Sequence, residues 1–274
     1  MNLLHQSFAI GPIGLSVERW LLILAVVIAL LAGALMGARR RVSVSDSLIT
    51  AALSGIIGAR LLFVTLNYSN YDSLLAMLDI RDGGFAPLGG IIVAALYLLW
   101  RLWRTPQQRT PLAGAVIIGT ICWGLTAGSL MLINQQTSTL PDIPMATLDD
   151  TPVSLPELSQ DTGKPLVVNL WATWCPPCRR EMPLLESAQQ ENGDIAFVFA
   201  NQGENPLHIT RFLQDQSLSL SNVWLDANLT LGKELGAHIM PTTLFYDASG
   251  RLIDSHIGEL SEATLSPYLK RLQP

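Results

Sequence analysis

The sequence predicts two architectures in one chain: an N-terminal all-α polytopic membrane domain of four transmembrane helices, and a C-terminal α/β domain whose mixed sheet is flanked by helices. Three observations lead there. Hydrophobic residues make up 49% of the 274-residue chain and charged residues 14%, an apolar balance for a soluble protein, and the excess lies before residue 134. From residue 145 onward, short β-branched and aromatic runs alternate with helical patterns, as in sheets covered by helices. Between a strand-like run and a helical one stands Asn169-Leu-Trp-Ala-Thr-Trp-Cys-Pro-Pro-Cys-Arg-Arg-Glu-Met-Pro183, which holds two of the three cysteines.

Four apolar runs, Trp20 to Met36, Leu48 to Leu66, Phe85 to Trp103 and Ala113 to Ile133, are each close to the ~20 residues that span a bilayer as a helix. Small residues in or beside them, among them Gly33, Gly37, Gly55, Gly58, Gly119 and Gly124, favour helices packed in lipid over buried helices of a soluble protein. The first run is not a cleavable signal, because the basic cluster Arg39-Arg40-Arg41 follows it rather than preceding it. Those arginines lie between the first and second runs, and Arg101, Arg104 and Arg109 between the third and fourth. Basic loops stay on the cytoplasmic side, so the N-terminus, the Asn67 to Gly84 segment and everything after Ile133 are expected outside. Arg60 falls within a span, where it either serves a function such as holding a lipid headgroup or snorkels and pairs with Asp82 or Glu18. Cys122 has no partner thiol in this half and reads as a packing residue, and His5 as an exposed residue near the terminus.

Polar, proline-punctuated residues 134–144 read as a linker between a membrane domain at 1–133 and a second domain at 145–274. In the second domain Met145 to Leu148 and Val153 to Leu155 flank the turn Asp149-Asp-Thr-Pro152, a hairpin pattern. Leu166 to Trp171 reads as a central strand, and the helix after Cys175 turns Met182, Leu184, Leu185 and Ala188 inward, with Pro183 as a kink. Ile195 to Ala200 is the next parallel strand and Pro206 to Gln216 a helix. Val223 to Leu225, a short helix at Leu229 to Leu235, Thr242 to Tyr246 paired with Arg251 to Ile257, and a helix from Ser261 complete the set.

The C-x-x-C admits three chemistries. A structural zinc needs roughly four ligands, and Cys122 with four scattered histidines does not supply the rest at finger spacing. A purely structural disulfide that closes so short a loop restrains the unfolded chain little. Redox chemistry fits best: an apolar strand runs into a helix start carrying Pro176 and Pro177, so Cys175 meets the backbone N–H groups and dipole that stabilise a thiolate. No metal and no cofactor is expected.

Trp171-Ala-Thr-Trp-Cys-Pro-Pro-Cys-Arg-Arg-Glu-Met-Pro183 resembles the TlpA/ResA branch of the thioredoxin superfamily, membrane-anchored reductases that face the periplasm or the cell exterior. Met240-Pro241-Thr-Thr-Leu-Phe-Tyr-Asp247 resembles the segment in which that family sets a cis-proline beside the cysteines. The resemblance covers about Leu140 to Leu272. It implies a thioredoxin-like fold with a helical insertion around Asn201 to Leu220, and a thiol-disulfide oxidoreductase. Cys175, the more exposed, is expected to attack a client disulfide and Cys178, one turn on and more buried, to resolve the mixed disulfide. Trp171 and Trp174 are expected to pack around the motif, and Met240 beside Pro241 to present a backbone edge to an incoming peptide. Arg179 and Arg180 either lower the thiolate pKa or meet acidic partners. Asn169 stands where many thioredoxins bury an acid, which leaves Glu157 and Glu181 as weak candidates for proton transfer.

The membrane half carries a second resemblance. Ala9-Ile-Gly-Pro-Ile-Gly-Leu-Ser-Val-Glu-Arg-Trp20, Gly58-Ala-Arg-Leu-Leu-Phe-Val64 and Gly83-Gly-Phe-Ala-Pro-Leu-Gly-Gly90 are similar to the first part of prolipoprotein diacylglyceryl transferase, over about Phe8 to Ala95. Leu88 stands where that family has a histidine, and its later arginine- and asparagine-bearing signature is absent, which implies a scaffold without transfer chemistry that keeps a lipid-binding or docking role. Together the resemblances imply a multi-pass protein of the bacterial inner membrane with its catalytic domain in the periplasm. Its partners would be membrane lipids, disulfide-bearing envelope proteins such as apocytochrome c, and a membrane electron donor of the DsbD or CcdA kind. The direction of transfer stays open, since an oxidase or isomerase would use the same residues. Two other readings stand beside it: an active lipid transferase with a redox appendage, and a chaperone-like binding module without turnover. A net charge of −5 without basic tracts argues against nucleic acid.

Overall fold

The computed structural model describes residues 7–10, 13–71, 73–130 and 139–273. The chain forms two compact units: Glu18–Ile80 with Gly84–Ile133, and Asn134–Pro274 with Met1–Val17 and Arg81–Gly83. Along the N-terminal half run the hairpin of β1 (Ser7–Ile10) and β2 (Ile13–Ser16), then α1 (Val17–Arg40), α2 (Ser45–Leu66), a short α3 (Leu74–Leu78), α4 (Pro87–Arg104) and α5 (Arg109–Trp123).

Among the described residues, α1, α2 and the stretch Pro106–Gly128 are long and apolar enough to cross a membrane, with mean hydropathies of 2.8, 1.9 and 1.5. α4 falls outside that set. It is 18 residues long, and Arg101 and Arg104 in its last turn lower its apolar average. Of the four spans expected, length and composition support three.

Leu31, Leu35, Leu53, Ile57, Leu61, Leu96 and Leu99 are exposed, whereas α1 and α2 bury mostly small residues such as Ala25, Gly33, Ala51, Gly55 and Gly58. Apolar outside and small inside is the pattern of helices that face lipid. α2 and α4 meet backbone to backbone: a Cβ on Gly58 would lie 2.5 Å from Val93 Cγ2, and one on Gly89 would lie 2.6 Å from the Gly58 carbonyl oxygen.

Arg60, buried on α2, donates to the carbonyls of Gly84 (2.8 Å), Met77 (3.1 and 3.2 Å) and Asp79 (2.5 Å), and Phe63, Tyr71 and Phe85 ring its guanidinium. It thus ties down the segment that follows α2. Cys122 is a half-buried free thiol. His5, Asp72 and residues 131–133 lie outside the described residues.

The other unit is built on a seven-stranded mixed sheet in the order β4-β3-β7-β6-β5-β8-β9. Its strands are β3 (Met145–Thr147), β4 (Pro152–Val153), β5 (Leu166–Trp171), β6 (Ala196–Gln202), β7 (Val223–Asp226), β8 (Thr242–Tyr246) and β9 (Leu252–Ile257). β5, β6 and β7 are parallel, while β8 pairs antiparallel with β5, β9 with β8 and β3 with β7.

Every residue of β5 is buried, and strand alternation sends its side chains into two cores. Val167 and Trp171 join Met182 and Leu185 of α7 (Pro176–Glu191), Ile209 and Phe212 of α8 (Pro206–Asp215), and the last helix, Glu262–Leu272. Leu166, Val168 and Leu170 join Leu155 of α6 (Leu155–Thr162) and Leu231 of α9 (Thr230–Leu235) on the opposite face.

Two segments differ from expectation. Leu155, expected to end a strand, begins α6: Ser154 Oγ accepts the Glu157 N–H, Pro156 sits in the first turn, and Gly163 at φ 62° closes the helix. Of the expected linker, residues 134–138 lie outside the described residues. From Thr139 the chain is part of the fold, since Thr139 bridges to Arg251, the Leu140 N–H donates to the Gly250 carbonyl at 2.9 Å, and Ile143 is buried. α7 continues through Pro183.

Candidate active site

β5 delivers the chain at Trp171 to a short turn that ends where α7 begins. Glu204 holds that turn: its carboxylate accepts from the Thr173 N–H (2.7 Å), the Thr173 hydroxyl (2.5 Å) and Asn201 Nδ2 (2.7 Å). Nothing local in the sequence marks Glu204, which lies 31 residues from Thr173 in the connection after β6.

Cys175 caps α7. Its backbone is extended, its Sγ accepts the Cys178 N–H at 3.3 Å, and Pro176 and Pro177 occupy the first helical positions, where an N–H would find no helical partner. The two sulfurs are bonded at 2.02 Å, with Cα atoms 5.3 Å apart. Once that bond is reduced, the Cys178 N–H and the positive end of the helix dipole act on the Cys175 sulfur in the sense that stabilises negative charge there.

Exposure departs from the sequence expectation in two places. Cys175 is 3% exposed and Cys178 0%, so their order is as expected but the first cysteine is nearly covered. Trp174, expected to pack around the motif, is 64% exposed. Trp171 takes the buried place, with its ring 5.5 Å from that of Phe212. The difference is positional: Trp171 is the last residue of β5 and points into the core, while Trp174 falls in the turn after strand alternation has ended. Pro176 is exposed and Pro177 half-buried. Met240, half-buried, packs against the cluster that contains both cysteines. The Met240–Pro241 peptide is cis, as the resemblance implied, and Pro241 is buried just before β8.

Behind the cysteines lies a buried polar group. Asn169 Nδ2 donates to Glu181 Oε1 (2.8 Å) and to Thr243 Oγ1 (2.9 Å), and the Leu260 N–H donates to Glu181 Oε2 (2.9 Å). Burial pushes the Glu181 carboxyl up to about 8, against the pull of the Leu260 and Asn169 hydrogen bonds and with a further push from nearby Glu259. The group is therefore neutral at pH 7 and holds a proton. Of the two weak candidates, Glu181 stands on the inner face of α7 one turn past Cys178, whereas Glu157 is exposed on α6. The two arginines are engaged elsewhere: Arg180 pairs with Glu259, and the Arg179 guanidinium lies 5.4 Å over the Phe212 ring.

A dithiol at a helix start beside a buried proton carrier can exchange two electrons and protons with another sulfur pair. The sequence pattern of the Redoxin family matches residues 135–272, half of the chain. The chain belongs to that family. Its Redoxin domain is a thiol-disulfide oxidoreductase, and the relatives agree. It is 30% identical over 120 residues to thiol-disulfide oxidoreductase ResA of Halalkalibacterium halodurans, covering 43% of this chain and 68% of that protein. Against thioredoxin-like protein YneN of Bacillus subtilis the identity is 28% over 160 residues, covering 56% and 91%. Against thiol:disulfide interchange protein DsbE of Vibrio cholerae it is 30% over 142 residues, covering 49% and 73%.

Among solved structures, a secreted Mycobacterium tuberculosis disulfide oxidoreductase homologous to E. coli DsbE is 25% identical and covers 48% of this chain and 96% of that one, with a TM-score of 0.43. A second family pattern, prolipoprotein diacylglyceryl transferase, matches residues 6–135. The Redoxin domain is thus preceded in the same chain by a half that matches a different family pattern.

Proposed function

We propose that this chain is a reductant anchored in a bacterial inner membrane, with residues 1–133 as the anchor and 145–274 as a catalytic domain that faces the periplasm and passes two electrons to disulfide-bearing envelope proteins. The Cys175–Cys178 pair at the start of α7, one turn from a buried neutral Glu181, carries the reading. In the reduced form the Cys175 thiolate attacks one sulfur of a client disulfide. That S–S bond breaks, the client's other sulfur leaves as a thiolate and takes a proton, and a Cys175–client disulfide forms. Cys178, after losing its proton, attacks Cys175 Sγ; the mixed disulfide breaks, the client's first sulfur leaves and is protonated, and the 175–178 disulfide remains. Glu181, held by the Asn169 side chain one turn past Cys178, is assigned the handling of the Cys178 proton, for which its carboxyl must pass between its acid and carboxylate forms. Trp174 and Pro176 form the rim of the contact surface, and Trp171, Pro177, Met240 and Pro241 its backing, with the Met240 backbone as an edge for an extended client segment.

In this reading α4 is a fourth span. Its two arginines sit in the last turn, where long cationic side chains reach the interface. With Arg39, Arg40, Arg41 and Arg109 they make both short loops basic and cytoplasmic. Lipids surround the anchor, and Leu88, exposed on α4, offers no base for acyl-glyceryl transfer. A membrane dithiol donor of the DsbD or CcdA kind renews the dithiol, and apocytochrome c is a client of fitting chemistry. The reduction potential of the full chain in detergent micelles tests the direction. A value nearer thioredoxin's ~−270 mV than DsbA's ~−120 mV is expected, and one at the DsbA end overturns it.

A further inference from the structure

From Trp174 an open groove of about 470 Å³ runs between the start of α7 and α8, and it continues past Arg179 to His208, Arg211 and Asp215. Its charges are uneven. Arg180 is taken by Glu259, and Glu204 uses both carboxylate oxygens on Thr173 and Asn201. Arg179 and Arg211 are exposed, and among the described residues neither has an ion-pair partner. Arg179 is instead held over the Phe212 ring, which fixes its guanidinium at the groove. Asp215 is the one acid in the lining. In its lining stands one exposed large apolar side chain, Trp174. In a chain of net charge −5, cations and an exposed indole gathered next to the cysteine pair form a surface complementary to an acidic segment with some apolar content.

We propose that this groove receives the polypeptide that flanks a client's cysteines and selects segments with acidic residues there. The inference rests on the reductase reading above and adds the client class. Complementary charge acts mainly on encounter and register, so the preference shows in the second-order rate of reduction and fades with salt.

The test uses the reduced full chain in neutral detergent micelles and three cyclic disulfide peptides whose residues flanking the cysteines are all Asp, all Lys or all Ser, with tryptophan fluorescence reporting reduction. The Asp peptide is expected to react roughly fivefold faster than the Lys peptide at low ionic strength, with the ratio approaching one at about 0.5 M salt. Arg211→Glu is expected to abolish or invert the ratio, and Arg211→Lys to keep it. Ratios taken within one protein cancel any change in thiol reactivity. Equal rates for Asp and Lys peptides in the unaltered protein, or an unchanged ratio in Arg211→Glu, overturn the inference while reduction of the Ser peptide leaves the reductase reading standing. Failure to reduce any of the three overturns both.

Discussion

Glu181 is held by the Asn169 side chain and the Leu260 N–H, yet burial outweighs both and moves its carboxyl from 4.5 to about 8. Between about pH 5 and 8 the folded domain therefore keeps a proton that the unfolded chain releases. Stability falls as pH rises through that window, by up to about 1.4 kcal/mol per pH unit, and is unaffected below it, where both states are protonated. Glu181→Gln keeps the shape and removes the titration. The stability of the unaltered protein minus that of the variant, from denaturant unfolding of the full chain in micelles, is expected to drop steadily between pH 5 and pH 8. A flat difference contradicts a buried neutral acid. The signal for this residue was in the sequence, because Cys178, Glu181, Met182 and Leu185 share one helical face. A lone charge beside two arginines ordinarily reads as a solvated face, and only the fold shows that Asn169 on β5 comes to meet it.

At the scale of elements, the crossing of α2 and α4 depends on Gly58 and Gly89 having no side chains. Gly58→Leu drives a side chain into Val93 and the Gly89 carbonyl, a clash of the kind that costs about 1–3 kcal/mol or more. Gly124→Leu, where nothing stands within 4 Å, is the control. The expected outcome is a lower thermal midpoint or loss of monodisperse protein in detergent for Gly58→Leu alone; equal behaviour of the two variants contradicts the close crossing. β5 and β8 were legible to the residue, since each is a short apolar run bounded by turn-forming residues. α6 was not, because its eight residues carry few apolar side chains and its signals, the Ser154 cap, Pro156 and Gly163, lie at its ends. α4 reads as a span by its apolar count, and the arginines that close it make it marginal by composition.

Across the whole molecule, the presence of an apolar helical half and a thiol-disulfide half was legible from where the apolar residues lie and from one C-x-x-C. What stayed hidden depends on contacts between distant segments. Asn169 and Thr243 meet across 74 residues of sequence, and the pairing of β5 with β8 brings Met240 against the buried cluster that contains both cysteines, placements that have no local signature. The groove beside Trp174 likewise exists only because α8 returns beside α7.

The central claim, that Cys175 attacks and Cys178 resolves, has a direct test in trapping. Reduced full-length Cys178→Ala, mixed with a disulfide-bonded client protein and quenched with acid, is expected to accumulate a covalent adduct through Cys175 that dithiothreitol releases, while Cys175→Ala accumulates none. Adducts formed equally well through Cys178 in Cys175→Ala, or absent from both variants, would contradict it.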